Sequence, residues 1–200
     1  MMTDDRPGAT AGDVFWSANQ GEAGQFIYGY ESAWLPVSLL TQSAQARLVD
    51  MLFEITRHWS IGLHFNKGLG GGSPEARQRT SETAMNPAVL DAFALAIIAG
   101  EAAPAFRGMP GDGPDLARAR QASVRIREAA GVLQRVVPNA GAYISESSFF
   151  QSDWQHAYWG THYDRLREVK HRYDPDGLFF IHQGVNSDAW SADGFTRLAT

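Results

Sequence analysis

Two sets of polar side chains stand where apolar runs begin or end, and their types suit proton and ring chemistry. From Trp59 to Lys67 the chain alternates: Ile61, Leu63 and Phe65 fall on one side of a strand, Gly62, His64 and Asn66 on the other. That puts His64 and Asn66 together on the less apolar face, with Lys67 next in the chain. An imidazole there could take a proton from a hydroxyl, because its charge changes between about pH 5 and 8. A partly buried histidine bonded to a backbone carbonyl is the plainer reading of His64, and a solvated lysine that of Lys67. The second set is Tyr143, Ser145 and Glu146, read as strand, with His182 and Gln183 at the end of the apolar run Leu178-Phe179-Phe180-Ile181. These five could converge on one cleft; hydrogen-bonded interior positions are the plainer reading of Tyr143 and Gln183.

Other chemistries find less support. His156, His162 and His171 are separated by six and nine residues, not by the four that pair zinc ligands on a helix. Gly68 to Ser73 is glycine-rich but lacks both dinucleotide and P-loop spacing, so it reads as a turn. No GxSxG elbow occurs, and Asp174 and Asp176 belong to a turn. Arg118, Arg120, Arg125, Arg127 and Arg135 read as a solvated helix surface.

The elements that must position these groups follow from period and punctuation. Val14 to Tyr30 is expected to be strand–turn–strand, with Phe26, Tyr28 and Tyr30 on one face. Ser43 to Trp59 reads as a helix buried along Leu48, Leu52, Ile55 and Trp59. Ser73-Pro74-Glu75 opens a short polar helix, and Asn86-Pro87 is a second cap-and-proline start. Phe93 to Gly100 is apolar enough to be either a helix end or a buried strand, and a proline- and glycine-bearing loop follows over residues 101–114. The longest helix runs from Pro114 to about Val137. A capping box is expected at Ser152 and Gln155. A single helix then carries Trp159, Tyr163, Leu166, Val169 and Tyr173 as one stripe, stopped by Asp174-Pro175-Asp176-Gly177.

Gly141 to Trp190 holds three of the six Trp, four of the six Tyr, four of the eleven Phe and four of the six His. That density suits a surface packed against something flat and polar-edged. The whole chain has 200 residues, 44% apolar and 20% charged, which allows one domain or slightly more. A net charge of -5 argues against nucleic acid as a partner. Zero cysteines exclude disulfides and thiolate chemistry in this chain. No apolar run approaches the ~18 residues of a membrane span, so no membrane partner is expected and the cytoplasm is the expected compartment.

AYISE from Ala142, DWQ-x-x-YWG from Asp153, YDRLREVKHRYDPDGLFF from Tyr163 and HQGVNSDAW from His182 resemble the C-terminal berberine-bridge-enzyme-like segment of FAD-linked oxidases. These belong to the vanillyl-alcohol oxidase and p-cresol methylhydroxylase superfamily. Upstream, WLPVSLL, LHFNKGLGGG and TAMNPAVLDAFALAIIAG resemble the substrate-domain portion. The family usually has Asn where Ser145 stands, so the side chain offered to a flavin differs there.

The resemblance implies an α+β fold: an antiparallel sheet with helices packed on one face, and a C-terminal helix and short segment returning toward an FAD-binding domain absent from these residues. It implies residues 1–13 as a disordered tail, 14–140 as substrate-domain part and 141–200 as the berberine-bridge-enzyme-like segment. It implies FAD as cofactor, held mainly elsewhere, with Tyr143, Ser145, Glu146, His182 and Gln183 near the flavin. It also implies His64, Asn66 and Lys67 on the substrate side, with His64 as the candidate base for oxidising an alcohol, sugar or other hydroxylated small molecule. The chain alone is then expected to bind FAD weakly or not at all. Two alternatives remain open. One is a non-enzymatic domain or partner subunit docking on a separate flavin-binding chain; the other is an unrelated α+β domain with a closed small-molecule pocket.

Overall fold

In the computed structural model the described residues are 24–65, 71–102, 104–105 and 113–198, with the backbone of 2–3 and 14–15. Strand β1 (Met2–Thr3) pairs antiparallel with β2 (Val14–Phe15). The rest of the expected N-terminal tail, Asn66, Lys67, most of the glycine turn and residues 106–112 of the loop lie outside the described residues.

Apolar runs too long to stay in water pair to build the main sheet. β3 (Phe26–Pro36) and β4 (Gly62–Phe65) flank β5 (Ala92–Ala102), both antiparallel to it, in the order β3-β5-β4. Helix α1 (Gln45–His58) and helix α3 (Leu116–Val136) cover one face. Leu35, Ala94, Ala96 and Ile98 meet Met51, Ile55, Ile126 and Val132 there. Burying each large aliphatic side chain contributes about 1.5–3 kcal/mol, the main source of cohesion in the layer. Small residues on β5 let the helices lie close. Gly29 stands opposite Gly100, and a Cβ at Gly100 would sit 2.6 Å from the Trp59 ring. The Trp59 indole N–H reaches the Ala99 carbonyl at 2.8 Å, anchoring the end of α1 to β5. Arg47 of α1 donates to the Val136 carbonyl at 3.0 Å, satisfying an end of α3 that has no helical partner. Thus the α+β architecture, an antiparallel sheet with helices on one face, is the observed one.

Helix α2 (Pro74–Ser81) begins as expected, the Ser73 hydroxyl accepting from the Ala76 amide. Asn86-Pro87 opens a 3-10 turn, Pro87–Asp91, leading into β5.

Four local expectations need correction. Phe26 and Tyr28 pack on the helix side, but Tyr30 lies on the opposite face. A register shift between Ile27 and Gly29 leaves Tyr28 unpaired and reverses the alternation beyond it. The helix expected to carry one stripe from Trp159 to Tyr173 is two: α4 (Trp154–Trp159) and α5 (Tyr163–Tyr173), broken at Gly160 with φ +54. The break leaves Val169 and Tyr173 exposed rather than buried. The capping box at Ser152 and Gln155 does not form. Asp153 is the α4 cap residue without a side-chain cap bond, and Gln155 reaches Asp188 instead. Finally, Ile144–Glu146 is a 3-10 turn, not strand.

Candidate functional site

Cross-strand register assembles the site. Trp34 of β3 stands opposite Leu95 of β5, and Leu95 opposite His64 of β4. Directly paired residues share a face, so the three form one row on the side away from α1 and α3. The next row is Ser32, Ile97 and Gly62, and Tyr30 stands opposite Ala99 beyond it. His64 is exposed on the outer strand, and Gly62 beside it leaves a gap in the wall.

Residues 141–143 complete this face. The Trp34 amide donates to the Gly141 carbonyl at 3.2 Å and the Tyr143 amide to Ser32 Oγ at 3.1 Å. These bonds set the Tyr143 ring 6.1 Å from Trp34 at an interplanar angle of 58°. Asn86 holds the same segment from behind. Its Nδ2 donates to the carbonyls of Ala157 at 2.8 Å and His156 at 3.1 Å, and its Oδ1 accepts from the Ala88 amide at 3.0 Å. Gly141 and Gly160 must both be glycine here: each has positive φ, and a Cβ on either would meet the Asn86 amide within 2.7 Å.

Two ionisable groups border this arrangement. Burial, then the Glu146 carboxylate, pushes the Tyr30 phenol above its ordinary pKa. Burial likewise raises Glu31, partly offset by the Ser148 hydroxyl and Arg127. Ser145 and Glu146 line a groove of about 780 Å³ beside β3, together with Tyr30, Glu31, Arg127 and Phe149.

His182 and Gln183 form a separate station. His182 is exposed, its ring stacked 4.1 Å from Phe149 with Nε2 against the Phe149 carbonyl at 2.9 Å. Gln183 is buried with φ 55. Its Nε2 donates to the Gln151 carbonyl at 2.8 Å, and its Oε1 faces the Tyr158 hydroxyl at 3.0 Å. Tyr158 also accepts from Ser147 Oγ at 2.9 Å, so Gln183 is wired to the 147–151 loop rather than aimed at an open cleft. The structure thus brings His64 and Tyr143 to one sheet face and Ser145 and Glu146 to its edge. It does not bring Tyr143 into a common cavity with His182 and Gln183; neither the β3 groove nor the Trp159–Trp190 groove is lined by any of the three.

Sequence reasoning passed over Trp34, Tyr30, Glu31 and Asn86 as site residues. Trp34 and Tyr30 had a signal, aromatic residues four apart and hence on one face of β3. Asn86 had only a local one, its cap, and nothing local reveals carbonyl partners 70 residues away.

Parts of the chain are similar to known proteins. The family model "Berberine and berberine like" matches residues 142–186. An uncharacterized FAD-linked oxidoreductase of Arthroderma benhamiae is 44% identical over 66 residues, which is 33% of this chain and 11% of that protein. The VAO-type flavoprotein oxidase VAO615 of Thermothelomyces thermophilus is 35% identical over 80 residues, 38% of this chain and 14% of that one. The crystal structure of the VAO-type flavoprotein MtVAO615 from Myceliophthora thermophila C1 superposes with a TM-score of 0.57 at 25% identity, covering 82% of this chain and 29% of that one. The chain is thus similar to the C-terminal portion of VAO-type FAD-linked oxidases. Only a small share of each curated relative's length, 11% and 14%, is spanned by the match.

The segment that the family model matches is knotted by the Lys170–Asp174 ion pair. Lys170 contacts the Asp174 carboxylate and donates to the Phe179 carbonyl at 2.6 Å. Asp174 accepts from the amides of Leu178 at 2.8 Å and Phe179 at 3.0 Å. The turn it closes leaves Leu178, Phe179 and Ile181 strongly exposed. Among the described residues no group of three or more His, Asp or Glu is placed to hold a metal ion, and no helix is long and apolar enough to cross a membrane.

Proposed function

We propose that this chain is the substrate-side cover of an FAD-dependent oxidoreductase that oxidises an alcohol, sugar or other hydroxylated small molecule. The observation that carries the reading is the row His64–Leu95–Trp34 on the sheet face opposite α1 and α3, where Trp34 and Leu95 are buried beneath Tyr143 and Val89 and His64 stands exposed at the end. The part of it that reaches solvent suits the edge of a flavin ring: the exposed His64 imidazole and the half-buried Tyr143 side chain, backed by Trp34. It does not suit a pyrophosphate. Helix α2 (Pro74–Ser81) follows glycine-rich sequence, but the row itself presents no helix N-terminus to a phosphate, and on this reading the phosphates are held by other polypeptide.

When bound, FAD supplies hydride acceptance from the substrate carbon. The residues of this chain do the remainder. His64 takes the hydroxyl proton onto its imidazole, Tyr143 gives the surface against which substrate lies, the buried Trp34 backs its ring, and Asn86 keeps Tyr143 in register. Gln183, with its amide fully engaged, acts by holding the 147–151 loop, and Ser145, Glu146 and His182 meet the cofactor at the rim.

The exposed Leu178, Phe179 and Ile181 support a second reading, in which the chain docks as a non-catalytic subunit on a separate flavin-binding chain.

Riboflavin and FAD titrated into the isotope-labelled chain separate these ideas. Contact through the ring alone predicts weak binding of both flavins at similar affinity, with the Trp34 indole, Tyr143 and His64 resonances shifting. Micromolar affinity for FAD alone would mean that phosphate binding resides here after all. Shifts confined to Leu178–Ile181 would favour the docking reading.

A further inference from the structure

One buried donor has no part in the flavin-facing row. Among the described residues, the Trp159 indole nitrogen is a buried side-chain polar atom without a hydrogen-bond partner. A buried indole N–H ordinarily finds one, as Trp59 does at the Ala99 carbonyl. Trp159 ends α4 and packs on the cluster of Ala142, Ala157 and Tyr158. It also lines a groove of about 460 Å³, whose other walls are residues 177–181, 184–187, Lys170 and Trp190. Close packing shapes that groove. A Cβ on Gly177, which has positive φ, would collide with the Trp190 ring, and one on Gly184 would collide with the Ile181 side chain.

We infer that this groove binds a neutral small molecule, an apolar body carrying one carbonyl oxygen that accepts from the Trp159 indole N–H. The lining selects that chemistry. Phe179, Phe180, Ile181, Val185 and Trp190 offer carbon surface, and no carboxylate side chain lines the groove. The cation in its wall, Lys170, is already held by Asp174 and the Phe179 carbonyl, so a charged ligand gains no partner there. The indole N–H is already out of water, so an incoming oxygen gains a bond without the donor giving one up. The size fits a small molecule, since such sites run from about 300 to 1,000 Å³. Leu178, Phe179 and Ile181 in the walls are strongly exposed, which leaves their side chains room to turn as a ligand enters.

The test uses the full isotope-labelled chain of 200 residues, with acetophenone and ethylbenzene as probes of like shape that differ in the carbonyl. Acetophenone should move the Trp159 indole proton saturably downfield, as a new hydrogen bond does, and slow its exchange with solvent. Ethylbenzene should enter the groove without either effect. Trp159→Phe keeps an aromatic ring but removes the donor. It should weaken acetophenone about three- to tenfold, the worth of one hydrogen bond, and leave ethylbenzene within about twofold. If that variant fails to fold, the exchange of the Trp159 indole proton in the unaltered chain carries the same discrimination between the probes. Equal weakening of both probes, a Trp159 indole proton that stays put, or no saturation by acetophenone up to its solubility would each overturn the inference.

Discussion

Asn86 is a buried side chain whose replacement tests how residues 141–143 come to stand beside the sheet. It makes three hydrogen bonds, two as donor to the Ala157 and His156 carbonyls and one as acceptor from the Ala88 amide. In Asn86→Ala the Ala157 carbonyl keeps the Ala142 amide, and the His156 carbonyl keeps the Gly160 amide, so neither is orphaned. Only the Ala88 amide loses its partner. At roughly 0.5–1.5 kcal/mol net per bond, the expected loss is about 2–3 kcal/mol, or a fall in Tm of about 4–12 °C. Asn86→Asp keeps the shape but turns the donor nitrogen into a carboxylate oxygen facing two carbonyls. That should cost about 3–5 kcal/mol at pH 7, more than alanine does. The introduced carboxyl would have a raised pKa in the folded chain. Its stability is therefore full below the unfolded value near 3.9 and lost as pH rises through the folded value. Denaturant unfolding of the three proteins at pH 7 and pH 4 checks both arms. A cost for aspartate no greater than that for alanine, or no relative recovery at pH 4, would refute the staple.

Three further outcomes are expected. Gly100→Ala places a Cβ 2.6 Å from the Trp59 ring, and should destabilise by about 1–3 kcal/mol in urea unfolding. A neutral result would mean that α1 is free to shift. The Lys170 ammonium first, with the amides of Phe179 and Leu178, holds the Asp174 carboxyl below its usual range. The ordering it provides is present above about pH 3.9 and lost as pH falls further. Exchange at Leu178 and Phe179 should quicken in that window, and Asp174→Asn should remove the pH dependence. Burial first, with Asp188 nearby, pushes the Tyr163 phenol to about 12. Alkaline titration of the folded chain should show a phenol step near that value that disappears in Tyr163→Phe. The stability linked to it holds below about pH 10 and is lost as pH rises from about 10 toward 12.

Local chemistry made much of the fold readable. Ser73 and Asn86 cap the turns that follow them because a short polar side chain can reach free amides within its own segment. The α1 and α3 helices show in the apolar period, and the burial of the stretch from Ala92 in an unbroken run of small and branched residues. Other features needed contacts that no window of sequence contains. The shift at Tyr28 depends on how β3 meets β5, and it moves Tyr30 to the other face. The break at Gly160 follows from the Asn86 amide lying where a side chain would be. Tyr143 and Gln183, near in reading, end in different surroundings because the 3-10 turn at Ile144 redirects the chain and Tyr158 claims Gln183.

By itself, then, the sequence determined where α1, α2 and α3 lie, and that His64 lies on the less apolar side of its strand. Those are properties of neighbouring residues, set by period, caps and breakers. Only the tertiary structure decided that His64, Leu95 and Trp34 stand in one row with Tyr143 against it. The row exists because strands from three distant stretches are held in one register, and register comes from pairing and packing between them.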